Sequence, residues 1–520
     1  MGHRRSKLAS AAVALVAVLG AGCYSSGGKG SDPIDDGLYF PVGAALTTTG
    51  NFLVIANSDF DLAYNAGTIQ AIDLASQDSK RGVAAATRAC EQQLESADCL
   101  APPESAPWNQ CQAQLGALGC LGISSSPYVR ASVRIGAFAS DLKAVALYDD
   151  VADGKQQVPN ASRVLVPVRG DATLTYVDAI DDTIDAAGNA HITFECYAGA
   201  GPDELGHACD PDHRVGQVPT ADARQLTLEG EPFAIAVPSF FQCSRLDADG
   251  RCPLEPARSR GIAAIVHQDT GDVSVFHDVQ QRNAPPVLAF ALGYLALGAT
   301  AIAPLDITAG VSEADPVVQF VPRFLVTNNT QASMFLVSYL GDDGNPDRSV
   351  LTASSLIPVP SQVTGTDMRG AVVDPPGPGE SRATRVFLTS RSPASIVIGE
   401  VDTATGILHF YDSVPLPTGP SRIVRSSTLD ANGIAHTRIY VIAYDTAYVI
   451  AYDPDARRVG NSIRTDRGPY SMAIDDQRHL GYLANFIDGT IEVIELDPKA
   501  HPALYEQVVF KVGIPQGPRT

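Results

Sequence analysis

Cysteine is the residue type in this chain whose number and spacing most clearly predict chemistry. The 520 residues include nine cysteines, and eight of them form two groups in the first half of the sequence: Cys90, Cys99, Cys111, Cys120, Cys196, Cys209, Cys243 and Cys252. An even number of cysteines behind a secretion signal predicts disulfides, and none has the CxxC spacing of a zinc site. Proximity favours Cys196–Cys209 and Cys243–Cys252. The first four are expected to pair among themselves, either nested or as neighbours.

Side chains that could act in catalysis show no pattern that identifies a reaction. The ten histidines are scattered, and no GxSxG, P-loop or strand–helix GxGxxG sequence occurs. His267 and His277 flank one hairpin and are expected to be hydrogen-bonded structural histidines. Asp247 and Asp249 begin a sequence like a calcium loop, but Cys252 precedes the glutamate that such a loop needs, so a turn is expected. The sequence therefore predicts no cofactor and no metal ion, and it leaves open whether the protein is an enzyme.

The N-terminus predicts export and a lipid anchor. A basic segment, MGHRRSKL, precedes the short apolar segment ASAAVALVAVLGAG, which together are typical of a signal peptide over residues 1–22. The following LGAGC resembles a bacterial lipobox, which implies acylation of Cys23; ordinary cleavage that leaves Cys23 as a free thiol is the alternative. Residues 23–36 are expected to form a flexible tether. The residue after Cys23 is Tyr24 and not Asp, and by resemblance to lipoprotein sorting rules this implies the outer membrane of the cell envelope. Whether the protein would lie on the periplasmic or the outer surface of that membrane is left open.

Composition favours a large folded chain and argues against nucleic-acid binding. Hydrophobic residues make up 45% of the chain, enough for a sizeable core, and 45 glycines and 36 prolines suit many short strands joined by turns. The formal net charge of -21 repels nucleic acid and anionic lipid headgroups. The expected partners are therefore a membrane, through the anchor, and an unidentified protein or glycan.

The elements that must position any site are repeated hairpins. The two clearest copies are LVIANSDFDLAYNAGTIQAIDL near the N-terminus and YLANFIDGTIEVIEL near the C-terminus. Each contains an apolar run, Ala-Asn, Gly-Thr-Ile and a second apolar run. Five looser copies begin at Arg163, Arg260, Arg323, Arg385 and Arg438. A strand often introduced by Gly-Pro or Glu-Pro precedes most hairpins, and another short run precedes that strand, so the unit has about four strands.

Four-stranded units repeated every ~40–60 residues predict a β-propeller. One such sheet alone would expose two apolar faces, whereas seven packed radially cover each other. We therefore predict an all-β, seven-bladed propeller of antiparallel blades over residues 37–520. Residues 80–128 are expected to form a Cys-rich, partly helical insertion, stapled by disulfides, between blades 1 and 2. Its Trp108 could anchor a partner or fill the small core of the insertion itself.

The first and last hairpins resemble the YVTN-type β-propeller repeat, YVAN…GTVSVIDL. This resemblance implies a seven-bladed propeller of the lactonase-like or surface-protein type, families whose functions are mixed. Two functions follow as expectations. The first is a lipid-anchored binding or scaffold module for a protein, glycan or small ligand. The alternative is a lactonase-like hydrolase with its site at the mouth of the central channel.

Overall fold

A computed structural model of the chain describes residues 30–515, apart from 121, 148–160, 218–226, 239–260, 279–281, 283, 293–296, 306–322, 331–332, 341–349, 359–366, 377–380, 402–406, 418 and 430–434. The predicted signal peptide, Cys23, most of the tether, and the predicted Cys243–Cys252 pair with Asp247 and Asp249 lie outside the described residues. Of the helices in the described part, none has the length and apolar character needed to cross a bilayer.

The strands form seven antiparallel sheets, which confirms the predicted seven-bladed β-propeller. Blade 1 contains β1 (Pro41–Leu46), β2 (Phe52–Asn57), β3 (Gly67–Asp73) and β4 (Val129–Ile135), and blade 2 contains β5 (Lys143–Leu147), β6 (Ala161–Val168), β7 (Thr173–Ile184), β8 (Ala190–Glu195) and β10 (Arg214–Val215). Between β8 and β10, β9 (Leu205–Ala208) pairs in parallel with β4 of blade 1.

The remaining five blades each have four strands in chain order. Blade 3 contains β11 (Pro232–Ala236), β12 (Gly261–His267), β13 (Val273–Asp278) and β14 (Val287–Leu292), and blade 4 contains β15 (Ala299–Leu305), β16 (Arg323–Asn328), β17 (Ser333–Leu340) and β18 (Val350–Pro358). Blade 5 contains β19 (Met368–Asp374), β20 (Thr384–Arg391), β21 (Ala394–Val401) and β22 (Leu408–Pro415), and blade 6 contains β23 (Arg422–Leu429), β24 (Ala435–Ala443), β25 (Tyr448–Asp453) and β26 (Arg458–Arg464). Blade 7 contains β27 (Pro469–Asp475), β28 (Leu480–Asn485), β29 (Thr490–Glu495) and β30 (Val508–Val512).

Hydrophobic packing between neighbouring blades forms the core. The described buried residues divide into seven clusters, and each joins one pair of adjacent blades. The second and third strands of every blade are apolar on both faces, because both faces are covered by neighbours. This explains why the predicted hairpins lack a strict alternation of apolar and polar residues.

The repeated Ala-Asn and Gly-Thr pairs have a common structural role. Asn57 and Thr68 are cross-strand partners at the turn between β2 and β3, and Asn57 Nδ2 donates to Thr68 Oγ1 at 3.0 Å. Asn485 Nδ2 donates to Thr490 Oγ1 at 3.1 Å at the equivalent turn of blade 7. All four side chains are buried. The motif therefore supplies hydrogen bonds to polar groups that the turn removes from water.

The ring closes without a blade shared between the two ends of the chain. β1 packs beside β27, and the Ala44 amide donates to Ser471 Oγ at 3.3 Å. Arg478 Nη1 donates to the Gly50 carbonyl at 2.9 Å across the same junction. The first and seventh sheets therefore join through side-chain packing and a few polar contacts, because no ladder crosses from one described sheet to the other.

The Cys-rich insertion contains two helices, α1 (Val83–Leu94) and α2 (Ala106–Leu118), with Ser105 as the N-cap of α2. It lies between β3 and β4, inside blade 1, which corrects the expected position between blades 1 and 2. The sequence YVRASVRI was not recognised as a fourth strand because its arginines interrupt the apolar pattern. The disulfides are Cys90–Cys120 and Cys99–Cys111, the nested alternative.

Both disulfide-bearing segments reach back to the preceding blade. After α2, Ile123 forms a parallel bridge with Val512 of β30, and the Gly513 amide donates to the Ile123 carbonyl at 2.7 Å. The segment after β8 is closed by Cys196–Cys209, as predicted, and contributes β9 to the edge of blade 1. The two segments therefore brace the blade 7–blade 1 and blade 1–blade 2 junctions.

We expect the Asn485–Thr490 pair to stabilise blade 7. Asn485→Ala or Thr490→Val should each lower the free energy of unfolding by about 1–3 kcal/mol, because each removes two buried hydrogen bonds: the shared one, and a bond from Asn485 to Glu492 or from Thr490 to Asp466. The double variant should lose less than the sum of the two, because both changes remove the same hydrogen bond. Chemical denaturation measures these differences. Thr446→Val, at an exposed position, is the control; equal losses at the control and at Thr490 would contradict this role.

Candidate functional site

The strongest candidate site is the mouth of the central channel, on the face that carries the turns between second and third strands. A cavity of about 160 Å³ lies there, lined by residues of blades 3 to 7: Phe233, Thr300, Arg369, Arg391, Ser421, Arg422, Tyr444 and Tyr470. A second cavity, of about 110 Å³, continues into the channel between the first strands. It shares Thr300, Arg369 and Arg422 with the mouth. A ligand at the mouth would therefore contact several blades at once.

In several blades, the residue directly before the first strand has a left-handed backbone conformation, with a positive φ angle. The position before the strand is held by Gly298 (φ 80°) in blade 4 and Gly468 (φ 70°) in blade 7. Glu231, Asp367 and Phe40 occupy the same position with positive φ angles in blades 3, 5 and 1. Such a conformation costs a non-glycine residue about 1–3 kcal/mol and persists only where surrounding contacts fix it.

Three arginines from blades 5 and 6 line the mouth, each paired with an aspartate. Arg422 Nη1 lies 3.2 Å from Asp141 Oδ1, and the guanidinium carbon lies 4.2 Å from the centre of the Tyr470 ring. This stacking over the ring is a cation–π contact. The other two pairs are Arg369–Asp367 and Arg391–Asp445. The Asp445 side chain is 51% exposed, so water or another anion can compete with it for Arg391.

Aromatic rings form a continuous belt from this cavity across the mouth. Successive ring centres are 5.0–6.3 Å apart, in the order Phe138, Phe60, Phe40, Phe486, Tyr470 and Tyr444. Phe60 is 54% exposed, and the neighbouring Leu62 is 52% exposed. Partly exposed rings that contact each other at these distances form a rigid apolar surface. We call these six residues the aromatic belt.

The candidate residues predicted from the sequence lie elsewhere. The six described cysteines belong to the bracing segments. His267 lies in blade 3, with Nδ1 2.9 Å from the Gly230 carbonyl and Nε2 2.9 Å from Ser274 Oγ. His267 and Ser274 are both fully buried, and burial lowers the pKa of His267. The pair is therefore structural, and His277, which contacts the Tyr339 hydroxyl, is likewise hydrogen-bonded within the protein.

One sequence pattern identifies some of the residues that line the mouth. In blades 3 and 7 the residue directly after the Glu-Pro or Gly-Pro pair, Phe233 or Tyr470, lines the cavity. Because side chains alternate along a strand, equivalent positions in equivalent strands face the same way. The arginines were missed because they come from different positions in two blades, and no local spacing connects them.

Comparison with known proteins gives a fold-level likeness only. No family model matches the chain, and no curated protein matches it. Among solved structures, the chain is similar to hydrazine synthase of Kuenenia stuttgartiensis at 10% identity, with 91% of this chain and 99% of that chain covered and a TM-score of 0.41. It is also similar to a "putative 6-phosphogluconolactonase" of Bacteroides fragilis, at 11% identity, 83% and 86% coverage and a TM-score of 0.39. A protein of the same name from Bacteroides uniformis gives 12% identity, 82% and 86% coverage and a TM-score of 0.38.

One buried carboxyl group supports the loop that carries Phe60. Asp59 is fully buried, with Oδ1 accepting from the Tyr64 amide at 3.0 Å, while Oδ2 has no hydrogen-bond partner among the described residues. Burial raises the pKa of Asp59 to about 6, and the charge of Asp61 adds to this effect. The raised pKa means that folding favours the protonated carboxyl group. Stability should therefore fall as pH rises from about 4 to 6.

Asp59→Asn should remove this loss of stability at higher pH. We expect the variant to be more stable than the parent by about 1–3 kcal/mol at pH 8, and closely similar below pH 4, where both states of the parent are protonated. Asparagine also tolerates the φ of 51° at this position. Urea unfolding across pH 4–8 measures the difference. Asp269→Asn, in the equivalent loop of blade 3 and exposed, is the matched control; a pH-independent difference at Asp59 would contradict the assignment.

Proposed function

We propose that the protein is an extracytoplasmic binding module whose channel mouth holds a ligand or partner segment with an apolar or aromatic surface and an anionic group. The observation that carries this proposal is the junction of the aromatic belt with the arginine-lined cavity, which share Tyr444 and Tyr470. The belt supplies apolar area, and the arginines supply the charge. Both come from the first strands, from the end of β20, or from the loops at the same end of the blades.

The physical basis of recognition differs between the two halves of the mouth. Large aromatic side chains contribute most to binding where a ligand buries them, and their low conformational entropy limits the cost of ordering. A guanidinium has five donors in a fixed plane, so Arg391 can keep a bond to Asp445 and still donate to a carboxylate or phosphate oxygen. In a chain with a net charge of -21, the residues that line this cavity include three arginines, and the aspartates paired with them lie outside its lining.

The hydrolase alternative gains no specific support from the mouth. Its described carboxylates, Asp141, Asp367 and Asp445, are each paired with an arginine, so none of them is held as a general base. The serine–histidine pair of blade 3 has no access to solvent. Binding is therefore the function that the geometry supports best.

The probe 1-anilinonaphthalene-8-sulfonate tests this site because it combines aromatic rings with a sulfonate. We expect saturable fluorescence enhancement with the folded protein. Tyr444→Ala and Arg391→Gln should each weaken binding by about tenfold, because one removes ring contact and the other removes charge. Circular dichroism confirms that each variant is folded.

The matched control is Tyr411→Ala, which removes an exposed tyrosine from β22, the fourth strand of blade 5, outside the lining of the mouth. The control should bind the probe as the parent does. Unchanged binding in both mouth variants, or no saturable binding by the parent, would contradict the proposed site.

We also propose that Cys23 carries a lipid that holds the protein at the outer membrane, as the N-terminal sequence predicts. Palmitate labelling of cells expressing the full chain should mark the protein, and Cys23→Ser should abolish the label and move the protein to the soluble fraction. A retained label in the variant would show that acylation occurs at another residue. An unlabelled parent would support ordinary cleavage instead.

A further inference from the structure

Three potential metal ligands meet where the disulfide-stapled insertion lies against blade 7. Glu91 is in α1, Glu495 ends β29, and His501 lies in the segment that leads to β30. One ligand atom from each side chain lies within 4.8 Å of the other two. Glu91 and Glu495 are fully buried and His501 is half-buried. We propose that these three side chains form a zinc site that fastens the insertion to blade 7.

The spacing of the donor atoms fits a shared ion. His501 Nε2 lies 3.5 Å from Glu91 Oε2, which is longer than a good hydrogen bond. Two ligands with bonds of 2.0–2.2 Å to one tetrahedral zinc ion stand about 3.3–3.6 Å apart. Small side-chain rotations would therefore bring the third ligand, Glu495, to the same ion.

Glu91 contributes to this cluster a buried oxygen that has no hydrogen-bond partner in the described part of the chain. Glu91 Oε2 accepts from Arg88 Nη1 at 2.6 Å, whereas Glu91 Oε1 has no hydrogen-bond partner among the described residues. Glu495 Oε2 accepts from the same nitrogen at 2.8 Å. An unsatisfied carboxylate oxygen in a buried setting is costly. A metal ion bound by both oxygens of Glu91 would satisfy Oε1, use the spacing between Oε2 and His501 Nε2, and leave both bonds from Arg88 in place as support around the ligands.

The local charge favours a divalent cation. Glu91, Glu95 and Glu495 contribute three carboxylates, and Arg88 contributes one guanidinium, so two negative charges remain if His501 is neutral. Zinc would neutralise them. A mixed set of carboxylates and imidazole suits zinc, whereas calcium prefers six to eight oxygen ligands.

Glu95 is placed to orient the histidine. His501 Nδ1 is buried and lies 3.2 Å from Glu95 Oε1, but without the geometry of a hydrogen bond, so a small rotation of either side chain would form one. A histidine that binds metal through Nε2 usually directs its other N–H to a carboxylate, which fixes the ring and strengthens the ligand. Glu95 is therefore a positioning residue rather than a ligand.

The proposed ion would stabilise the junction between blades 7 and 1, where the ring closes. Glu91 follows Cys90, which the disulfide to Cys120 fixes within the insertion. Glu495 and His501 belong to blade 7. A bond through zinc would hold α1 on the sheet that must also meet blade 1, so the metal would add to the Ile123–Val512 bridge as a brace across this junction.

The test uses the purified full chain, stripped with a chelator, incubated with excess Zn²⁺ and separated from free metal by gel filtration. Elemental analysis should find one zinc per chain. Glu91→Gln and His501→Asn should each reduce zinc to background, and Glu95→Gln should weaken zinc affinity by about tenfold. Cobalt in place of zinc should give visible absorption bands that are lost in His501→Asn. His207→Asn, an exposed histidine outside the cluster, should keep the zinc.

The alternative occupant is a proton shared by the two buried carboxylates. A folded parent that retains no zinc after gel filtration would favour this alternative and overturn the proposal. Full zinc retention by His501→Asn would also overturn it. If Glu91→Gln does not fold, the half-buried His501 variant decides the question by itself, because its side chain lies at the edge of the cluster.

Discussion

Closure of the ring is the constraint on which the rest of the structure depends. Each blade covers the apolar faces of two neighbours, so a ring of seven has seven buried interfaces, and a gap at any one would expose two faces to water. The junction between blades 7 and 1 is the one made by the two ends of the chain. Among the strands that the structure describes, none is exchanged there. Its core instead combines Leu53 of blade 1, Phe510 of blade 7 and Val83 of α1 in one cluster.

The insertion therefore has a structural role that its position in the sequence conceals. It leaves blade 1 between the third and fourth strands and covers the outer part of blade 7, while β9 braces blade 1 from the other side. Disulfides hold these segments compact, since neither is large enough to have a sizeable core. Trp108 is half-buried in α2. The bracing role accounts for the concentration of cysteines near this junction without assigning them to a binding site.

The sequence predicted the repeated parts of the fold because the same physical requirement recurs in each blade. Every second and third strand must be apolar on both faces, and Asn485 with Thr490 repeats the turn chemistry of Asn57 with Thr68. The fourth strand of blade 1 was missed because Arg130 and Arg134 interrupt its pattern. Their guanidinium groups approach Asp73 and Asp32 instead, at 3.5 and 3.0 Å. Such pairing compensates for charged groups in a strand but leaves no periodic signal.

The mouth of the central channel was expected as a possible site, but the residues that line it and the Glu91–Glu495–His501 cluster could not be predicted, since each set is assembled from distant segments. Arg369, Arg422 and Tyr470 come from three blades, and their proximity is a consequence of radial packing. The mouth and the cluster both depend on the same closed ring, which holds the residues around them in place. The mouth faces solvent with rings and guanidinium groups, whereas the cluster is enclosed between a helix and a sheet.

An experimental structure of the mature protein tests the central claim most directly. The account predicts density for seven sectors around one axis, with β1 packed beside β27 and α1 against blade 7. A different number of sectors, or water-filled space between the first and last sheets, would contradict it.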